Sequence, residues 1–93
     1  MSWYVYILRC GDESLYTGIT DNISRRLAAH RAGKGARYTR GRGPLTLVYA
    51  EEHPDRSAAS RREWAVKQLD RTQKLELCRG WTDTACEMNG TEI

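Results

Sequence analysis

The chain has 93 residues, of which 40% are apolar and 29% charged, and this length fits one small domain with a modest core. No apolar run approaches the roughly 18 residues that a membrane span needs, so we expect no membrane association. The N-terminus lacks the basic and apolar regions of a secretory signal, which favours a cytoplasmic location. The three cysteines have neither CxxC nor histidine spacing, so neither a disulfide framework nor a zinc site is expected.

The first 20 residues have the pattern of a β-hairpin. Residues 3–9 and 15–19 are rich in aromatic and β-branched side chains, and the residues between them have turn chemistry. A turn centred on Gly11 predicts the register in which Tyr6 lies opposite Tyr16. One face of the hairpin then carries Tyr4, Tyr6, Tyr16 and Gly18.

The remaining sequence predicts three helices and one further strand. The predicted bounds are about 22–32, 57–70 and 72–77 for the helices and 45–50 for the strand. The first helix is expected to be capped by Thr20 or Asp21 and the second by Ser57, and Gly33 can end the first in the left-handed conformation. The element order is therefore ββαβαα, an α+β domain over residues 1–79, and residues 80–93 are expected to form a flexible tail.

Positive charge is concentrated in one part of the chain. The sequence holds 15 Lys and Arg against 12 Asp and Glu, but residues 22–42 contain seven basic residues and no acidic one. Within this stretch, residues 33–43 hold four glycines and four basic residues around Tyr38, which predicts a flexible basic loop. Such a surface suits a polyanion, and a solvated basic surface is the alternative interpretation.

A set of chemically suitable residues accompanies this charge. Hydrolysis of a phosphodiester needs a base for water, cations that offset charge on the transition state, and usually a divalent metal held by a carboxylate. The chain can supply Tyr6 or Tyr16 as the base, Arg26 as the phosphate contact, His30 as an assisting group and Glu63 as the metal ligand. A tyrosine base would need Arg26 or a metal close by, because its unperturbed pKa is near 10.

The same residues have structural alternatives. Either tyrosine can be a packing residue, Arg26 an exposed helix arginine, His30 a helix-end histidine, and Glu63 a member of a buried salt bridge. Glu63 falls on the inward stripe of its predicted helix, where an unpaired carboxylate is costly unless a cation meets it.

The order and spacing of these residues resemble the GIY-YIG nuclease superfamily, and most closely its small standalone YhbQ-like branch. The resemblance covers about residues 3–78 and rests on Tyr4-Val5-Tyr6, Tyr16-Thr17-Gly18, Arg26, His30 and Glu63. It implies a three-stranded antiparallel sheet flanked by helices in the order ββαβαα. It also implies that Glu63 binds the metal, Mg²⁺ or Mn²⁺, and that Tyr6, Tyr16, Arg26, His30 and Glu63 are the catalytic residues.

Three positions depart from the family pattern. Tyr4-Val5 stands where the family name has Gly-Ile, and Thr17 stands where it has Ile, but neither change removes a chemical group. Many members carry a late asparagine near the active site, for which Asn89 is a poor match.

The sequence thus predicts a metal-dependent DNA endonuclease acting on structured, nicked or single-stranded DNA. Substrate contacts are expected from Gly18, Lys34, Arg37, Tyr38, Arg40 and Arg42. DNA is preferred over RNA as the partner, and a targeting protein partner is left open. The alternatives are a nucleic-acid-binding module of the same fold without hydrolytic activity and an adaptor whose basic surface docks on an acidic protein.

Overall fold

The computed structural model describes residues 2–79 and Trp81. Its first two elements are the antiparallel strands β1 (Trp3–Arg9) and β2 (Leu15–Thr20). A third strand, β3 (Thr46–His53), pairs antiparallel with the other side of β1. The sheet order is therefore β2-β1-β3, with β1 in the centre and β2 at one edge. This confirms the expected three-stranded antiparallel sheet.

The register of the hairpin differs from the expected one by two residues. Tyr6 lies opposite Gly18, rather than opposite Tyr16. The reason lies in the turn, which is centred on Asp12, whose carboxylate accepts a hydrogen bond from the Ser14 amide at 3.1 Å. Because the shift is even, every side chain keeps its predicted face, and only the cross-strand partners change.

Three helices complete the expected order ββαβαα. Their bounds are Ile23–Arg31 for α1, Arg56–Lys67 for α2 and Arg71–Cys78 for α3. The caps are Asn22, Asp55 and Asp70, each of which accepts a hydrogen bond from a first-turn amide, so the expected caps at Thr20 or Asp21 and at Ser57 are wrong. Gly33 adopts φ 78° after α1, as predicted. None of the helices in the described part of the chain is long and apolar enough to cross a membrane.

The helices cover both faces of the sheet. On one face, Ile23 and Leu27 of α1 pack in a cluster with Tyr6 and Leu8 of β1. On the other face, buried residues of α2 pack against Val5 and Ile7. Arg25 and Arg26 of α1 and Arg56 of α2 line one cavity with Ile19 of the edge strand β2, so groups from both helices meet at this edge of the sheet.

Glu51 anchors α2 to the sheet. Its carboxylate accepts hydrogen bonds from the Tyr49 hydroxyl at 2.5 Å, from His53 Nε2 at 2.6 Å and from Arg62 Nε at 2.9 Å. Burial opposes ionisation of Glu51, but these hydrogen bonds outweigh it and lower the pKa of the carboxyl. Arg62 lies on α2, so this cluster fixes the helix that carries Glu63.

The basic segment between α1 and β3 is attached to the hairpin and contains regular structure. Residues Arg37–Thr39 form a 3₁₀ helix, so the expectation of a loop without a regular element is wrong. The amide of Gly11 donates to the Arg42 carbonyl at 2.5 Å, and the Arg42 guanidinium pairs with Asp12. The proposed tail at residues 80–93 lies outside the described residues, apart from Trp81.

The contact between the hairpin turn and the basic segment gives a stability prediction. A Cβ added at Gly11 would overlap the Gly43 carbonyl oxygen, whereas one added at Gly43 would meet nothing within 4 Å. We expect Gly11→Ala to lower the free energy of unfolding by about 2 kcal/mol, as overpacking typically does, and Gly43→Ala to leave it nearly unchanged. Thermal unfolding measures both variants, and equal melting temperatures would contradict the contact.

Candidate functional site

Tyr6 is the buried centre of the site. Its side chain is 3% exposed, and its ring crosses toward the edge strand over Gly18, its cross-strand partner. A Cβ added at Gly18 would lie 2.6 Å from the Tyr6 hydroxyl oxygen. Position 18 therefore requires glycine, because the Tyr6 side chain fills the space that any other side chain would occupy. The contact of Gly18 with a phosphate stays a prediction.

A chain of hydrogen bonds leads from Tyr6 into the basic segment. The Tyr6 hydroxyl lies 2.8 Å from His30 Nε2, and His30 Nδ1 lies 2.9 Å from the Thr39 hydroxyl oxygen. The Thr39 hydroxyl in turn donates to the Ala36 carbonyl at 2.9 Å. His30 is 2% exposed, so these bonds satisfy polar groups that water does not reach.

Aromatic rings extend the site outward. The Tyr16 ring centroid lies 6.3 Å from that of Tyr6 and 5.4 Å from that of His30. Tyr38 of the basic segment stacks on Tyr16, with centroids 5.9 Å apart and ring planes 28° from parallel. The Arg42 guanidinium lies 4.4 Å from the Tyr38 centroid. The basic segment is thus packed on the site through Tyr38.

Two charged residues from different helices approach Tyr6. Arg26 of α1 is half-buried, lies against the Tyr6 hydroxyl, and pairs with no carboxylate within the described residues. Glu63 of α2 lies near enough to act on the Tyr6 hydroxyl electrostatically. The Glu63 side chain is 23% exposed, and its carboxylate pairs with Lys67 at 3.3 Å. The arrangement places one cation against a buried phenol and one anion within electrostatic range of it.

These surroundings keep both ring groups neutral near pH 7. Burial raises the pKa of Tyr6 to about 12; Tyr16 and Glu63 also raise it, while Arg26 lowers it. Burial, together with the nearby Arg26 guanidinium, lowers the pKa of His30. A neutral imidazole can accept a proton from a neutral phenol, so the pair is able to relay a proton.

An open cavity of about 420 Å³ lies on one side of Arg26. Its lining includes Trp3, Asp21, Arg25 and Arg56. Arg25 is paired with Asp21 at 2.8 Å, and the Arg56 guanidinium lies 5.5 Å from a Trp3 ring centroid. The cavity therefore offers positive charge and an aromatic surface next to Arg26.

The structure brings together the residues that the spacing pattern selected. Tyr6, Tyr16, Arg26, His30 and Glu63 converge although they are distributed over β1, β2, α1 and α2. Their chemical roles stay predictions, as do those of the exposed loop residues Lys34, Arg37 and Arg40.

The sequence pattern missed Thr39 and Gly35, which both contact His30. A Cβ added at Gly35 would overlap His30 Nδ1. No spacing rule marks these two residues, because they reach His30 only through the path of the loop.

The metal expectation depends on one carboxylate. In residues 2–79 and Trp81, no group of three His, Cys, Asp or Glu residues is placed to hold a metal ion. Mg²⁺ is commonly bound by one or two carboxylates, with water and substrate phosphate completing its coordination. Glu63 is half-buried and within electrostatic range of the Tyr6 hydroxyl, and its single carboxylate fits this kind of site.

Comparison with known proteins defines the class. The GIY-YIG catalytic domain matches residues 2–76, and the chain belongs to the GIY-YIG family, which has a nuclease fold. Within that family it is similar to the UPF0213 proteins. It is 56% identical to that of Desulfotalea psychrophila over 79 residues, which cover 84% of this chain and 72% of the relative. It is 57% identical to that of Clostridium perfringens over 74 residues, which cover 80% of each.

Solved structures agree with the fold. The solution NMR structure of a UPF0213 protein from Bacillus halodurans has 51% sequence identity and a TM-score of 0.54, and the match covers 83% of this chain and 82% of that one. A protein from E. faecalis, also solved by NMR, has 40% identity and a TM-score of 0.59 over the same shares. The names of these relatives state no activity.

The raised pKa of Tyr6 predicts a late phase in an alkaline titration. Burial raises the pKa of Tyr49 to about 12 as well, with help from Glu51. Tyrosinate absorbance should therefore increase in a phase near pH 12, and Tyr6→Phe and Tyr49→Phe should each remove part of that phase. Since the folded state disfavours phenolate, these residues should cause stability to fall as pH rises from about 10 through 12. If Tyr6→Phe instead lost tyrosinate absorbance from a phase near pH 10, the pKa of Tyr6 would not be raised, and the buried environment described for it would be wrong.

Proposed function

We propose that this protein is a metal-dependent endonuclease that hydrolyses phosphodiesters in structured, nicked or single-stranded DNA. The observation that supports it most is the meeting of Tyr6, His30, Arg26 and Glu63 around one buried hydroxyl. A base, an assisting proton acceptor, a cation and a metal-binding carboxylate are the parts that phosphodiester hydrolysis requires. Membership of the GIY-YIG family supports the reaction class.

Arg26 would bind the scissile phosphate. A half-buried guanidinium with no carboxylate partner in the described residues is free to donate to phosphate oxygens. Charge accumulates on those oxygens in the transition state, so a cation held in a partly dry site stabilises the transition state more than the ground state.

Tyr6 and His30 would move the proton of the attacking water. As the water oxygen attacks phosphorus, its proton passes to the Tyr6 oxygen, and the Tyr6 hydroxyl proton passes to His30 Nε2, 2.8 Å away. The phosphorus–oxygen bond to the leaving strand breaks at the same centre, and the leaving oxygen is protonated by solvent. This relay avoids a free phenolate, which the raised pKa of Tyr6 disfavours.

Glu63 would hold a divalent ion, Mg²⁺ or Mn²⁺, as divalent metals generally serve nucleases of this family. When bound, the ion supplies Lewis-acid stabilisation of phosphate charge. The ion pair with Lys67 at 3.3 Å is an i,i+4 contact whose lysine is exposed, and such a pair contributes little stability, so a metal ion can replace it.

The basic segment would bind the DNA backbone. Lys34, Arg37 and Arg40 have exposed side chains, while Arg42 is engaged with Asp12 and Tyr38. Tyr38 is 42% exposed at the rim and can meet an unpaired base there. The cavity beside Arg26 continues this positive surface on the other side of the site.

Two variants separate catalysis from binding. Glu63→Gln removes the anionic ligand while keeping size, so cleavage of a branched or nicked substrate should fall about 100-fold or more, and DNA affinity without metal should hold or rise slightly. Arg26→Ala should lose both, because that residue contacts the phosphate before and during the reaction. Gel-based cleavage with Mg²⁺ or Mn²⁺ and a binding titration measure the two effects.

The exposed residues Glu76 and Arg61 provide matched controls, since Glu76→Gln and Arg61→Ala repeat the charge changes at positions that are not among the proposed site residues. If wild type and Glu63→Gln cleave branched and nicked DNA at the same background rate, the nuclease proposal fails and the non-catalytic binding module replaces it. Equal activity well above background would place the metal elsewhere.

The basic segment gives a salt-dependence prediction. Replacing Arg37 and Arg40 together by alanine should weaken binding about equally across DNA sequences and lower the salt slope by about one unit for each phosphate that these side chains neutralise. The control is the double variant Arg61→Ala with Arg79→Ala, which makes the same charge change at exposed residues on α2 and at the end of α3. A salt slope that changes equally in both double variants would show that net charge, rather than contact by this segment, governs binding.

A further inference from the structure

Thr39 joins the basic segment to the central hydrogen bond of the site. We propose that Thr39 is a positioning residue that holds His30 in the tautomer protonated on Nδ1, leaving Nε2 free to accept the Tyr6 proton. The consequence for cleavage rests on the proposed function, but the tautomer itself does not.

The direction of each hydrogen bond follows from which atoms can donate. A carbonyl oxygen only accepts, so the Thr39 hydroxyl supplies the proton between Thr39 and Ala36. The Thr39 oxygen then accepts from His30, which requires the proton on Nδ1. A neutral imidazole carries one ring proton, so Nε2 is an acceptor, and the Tyr6 hydroxyl donates to it.

The opposite tautomer of His30 leaves one more buried polar group without a hydrogen-bond partner. If the Thr39 hydroxyl donated to Nδ1, Nε2–H would donate to the Tyr6 oxygen, and the Tyr6 proton would need a different acceptor. Arg26, which lies against that hydroxyl, only donates, and within the described residues Tyr6 makes no other side-chain hydrogen bond. A hydroxyl in a residue 3% exposed would then lack an acceptor, and a buried donor without an acceptor is costly.

The path of the loop also restrains the ring. Gly35 lies so close to His30 Nδ1 that a Cβ there would overlap it, and Thr39 is 2% exposed. The ring is therefore confined between the loop and Tyr6, with its two nitrogens facing Thr39 and Tyr6 respectively. The segment proposed to bind DNA thus also sets the proton position of a residue at the reacting centre.

Nitrogen NMR reports the tautomer without any activity assay. Long-range ¹H–¹⁵N correlation spectra of the full ¹⁵N-labelled chain, recorded at mildly alkaline pH, distinguish protonated from unprotonated ring nitrogens. His30 and His53 are the two histidines of the chain, and His30→Gln assigns their signals. We expect wild-type His30 to be protonated on Nδ1, and a wild-type His30 protonated on Nε2 overturns the proposal whatever the other variants show.

Variants at Thr39 test its role. Thr39→Val keeps the shape but removes the oxygen, so we expect the Nδ1-protonated form to lose population to the Nε2-protonated form and cleavage to fall about tenfold or more. Thr39→Ser keeps the hydroxyl and should retain both properties. The exposed Thr46 provides the matched control, Thr46→Val, which should change neither.

The outcomes separate this inference from the proposed function. An unchanged tautomer in folded Thr39→Val overturns the positioning role even if cleavage is lost. A tautomer that shifts in Thr39→Val and is retained in Thr39→Ser supports the role even if no protein cuts DNA, in which case the nuclease proposal fails alone. If Thr39→Val does not fold, the wild-type and Thr39→Ser spectra decide, because both must show the Nδ1-protonated form.

Discussion

The hydrogen bond between the Tyr6 hydroxyl and His30 Nε2 joins the central strand to the first helix inside the protein. Both side chains are almost fully buried, so each polar atom must find a partner in the protein. The bond determines where neighbouring groups can go. The residue opposite Tyr6 on the edge strand must be glycine, and Thr39 of the loop must reach the other imidazole nitrogen.

Local sequence patterns predicted the order of the elements and the faces of the strands, because both depend on residues that are neighbours along the chain. Alternation in residues 3–9 and 15–19 assigned each side chain to the correct face, because a two-residue shift in register preserves the faces. It did not give the cross-strand partners, since the Asp12 carboxylate moved the centre of the turn. The caps of α1 and α2 were also misplaced, because several neighbouring residues are chemically able to cap, and the structure uses Asn22 and Asp55.

The site could be predicted only in part. Arg26 and His30 share a helix and project together at i,i+4 spacing, and the spacing of Tyr6, Tyr16 and Glu63 matched a known family pattern. Thr39 and Gly35 lie in a segment whose composition indicates flexibility, yet they are the residues that hold His30. Their position depends on the ties of that segment to the hairpin turn through Gly11 and Arg42, which no periodicity encodes.

Adjacent charged residues on α1 and on α2 differ in how fully their charges are paired within the protein. On α2, Arg62 is fixed by the Glu51 carboxylate at 2.9 Å, whereas its neighbour Glu63 has one ion pair, at 3.3 Å with the exposed Lys67. On α1, Arg25 pairs with Asp21, whereas Arg26 has no carboxylate partner within the described residues.

A charge that stabilises a fold is best satisfied within the protein, because leaving it unpaired in a partly buried place costs free energy. A charge that must bind phosphate or metal cannot be satisfied in that way, since an internal partner would compete with the ligand. Arg26 and Glu63 are the two members of these pairs that act electrostatically on the Tyr6 hydroxyl. The position of the weakly satisfied charges therefore coincides with the position where the proposed reaction needs them.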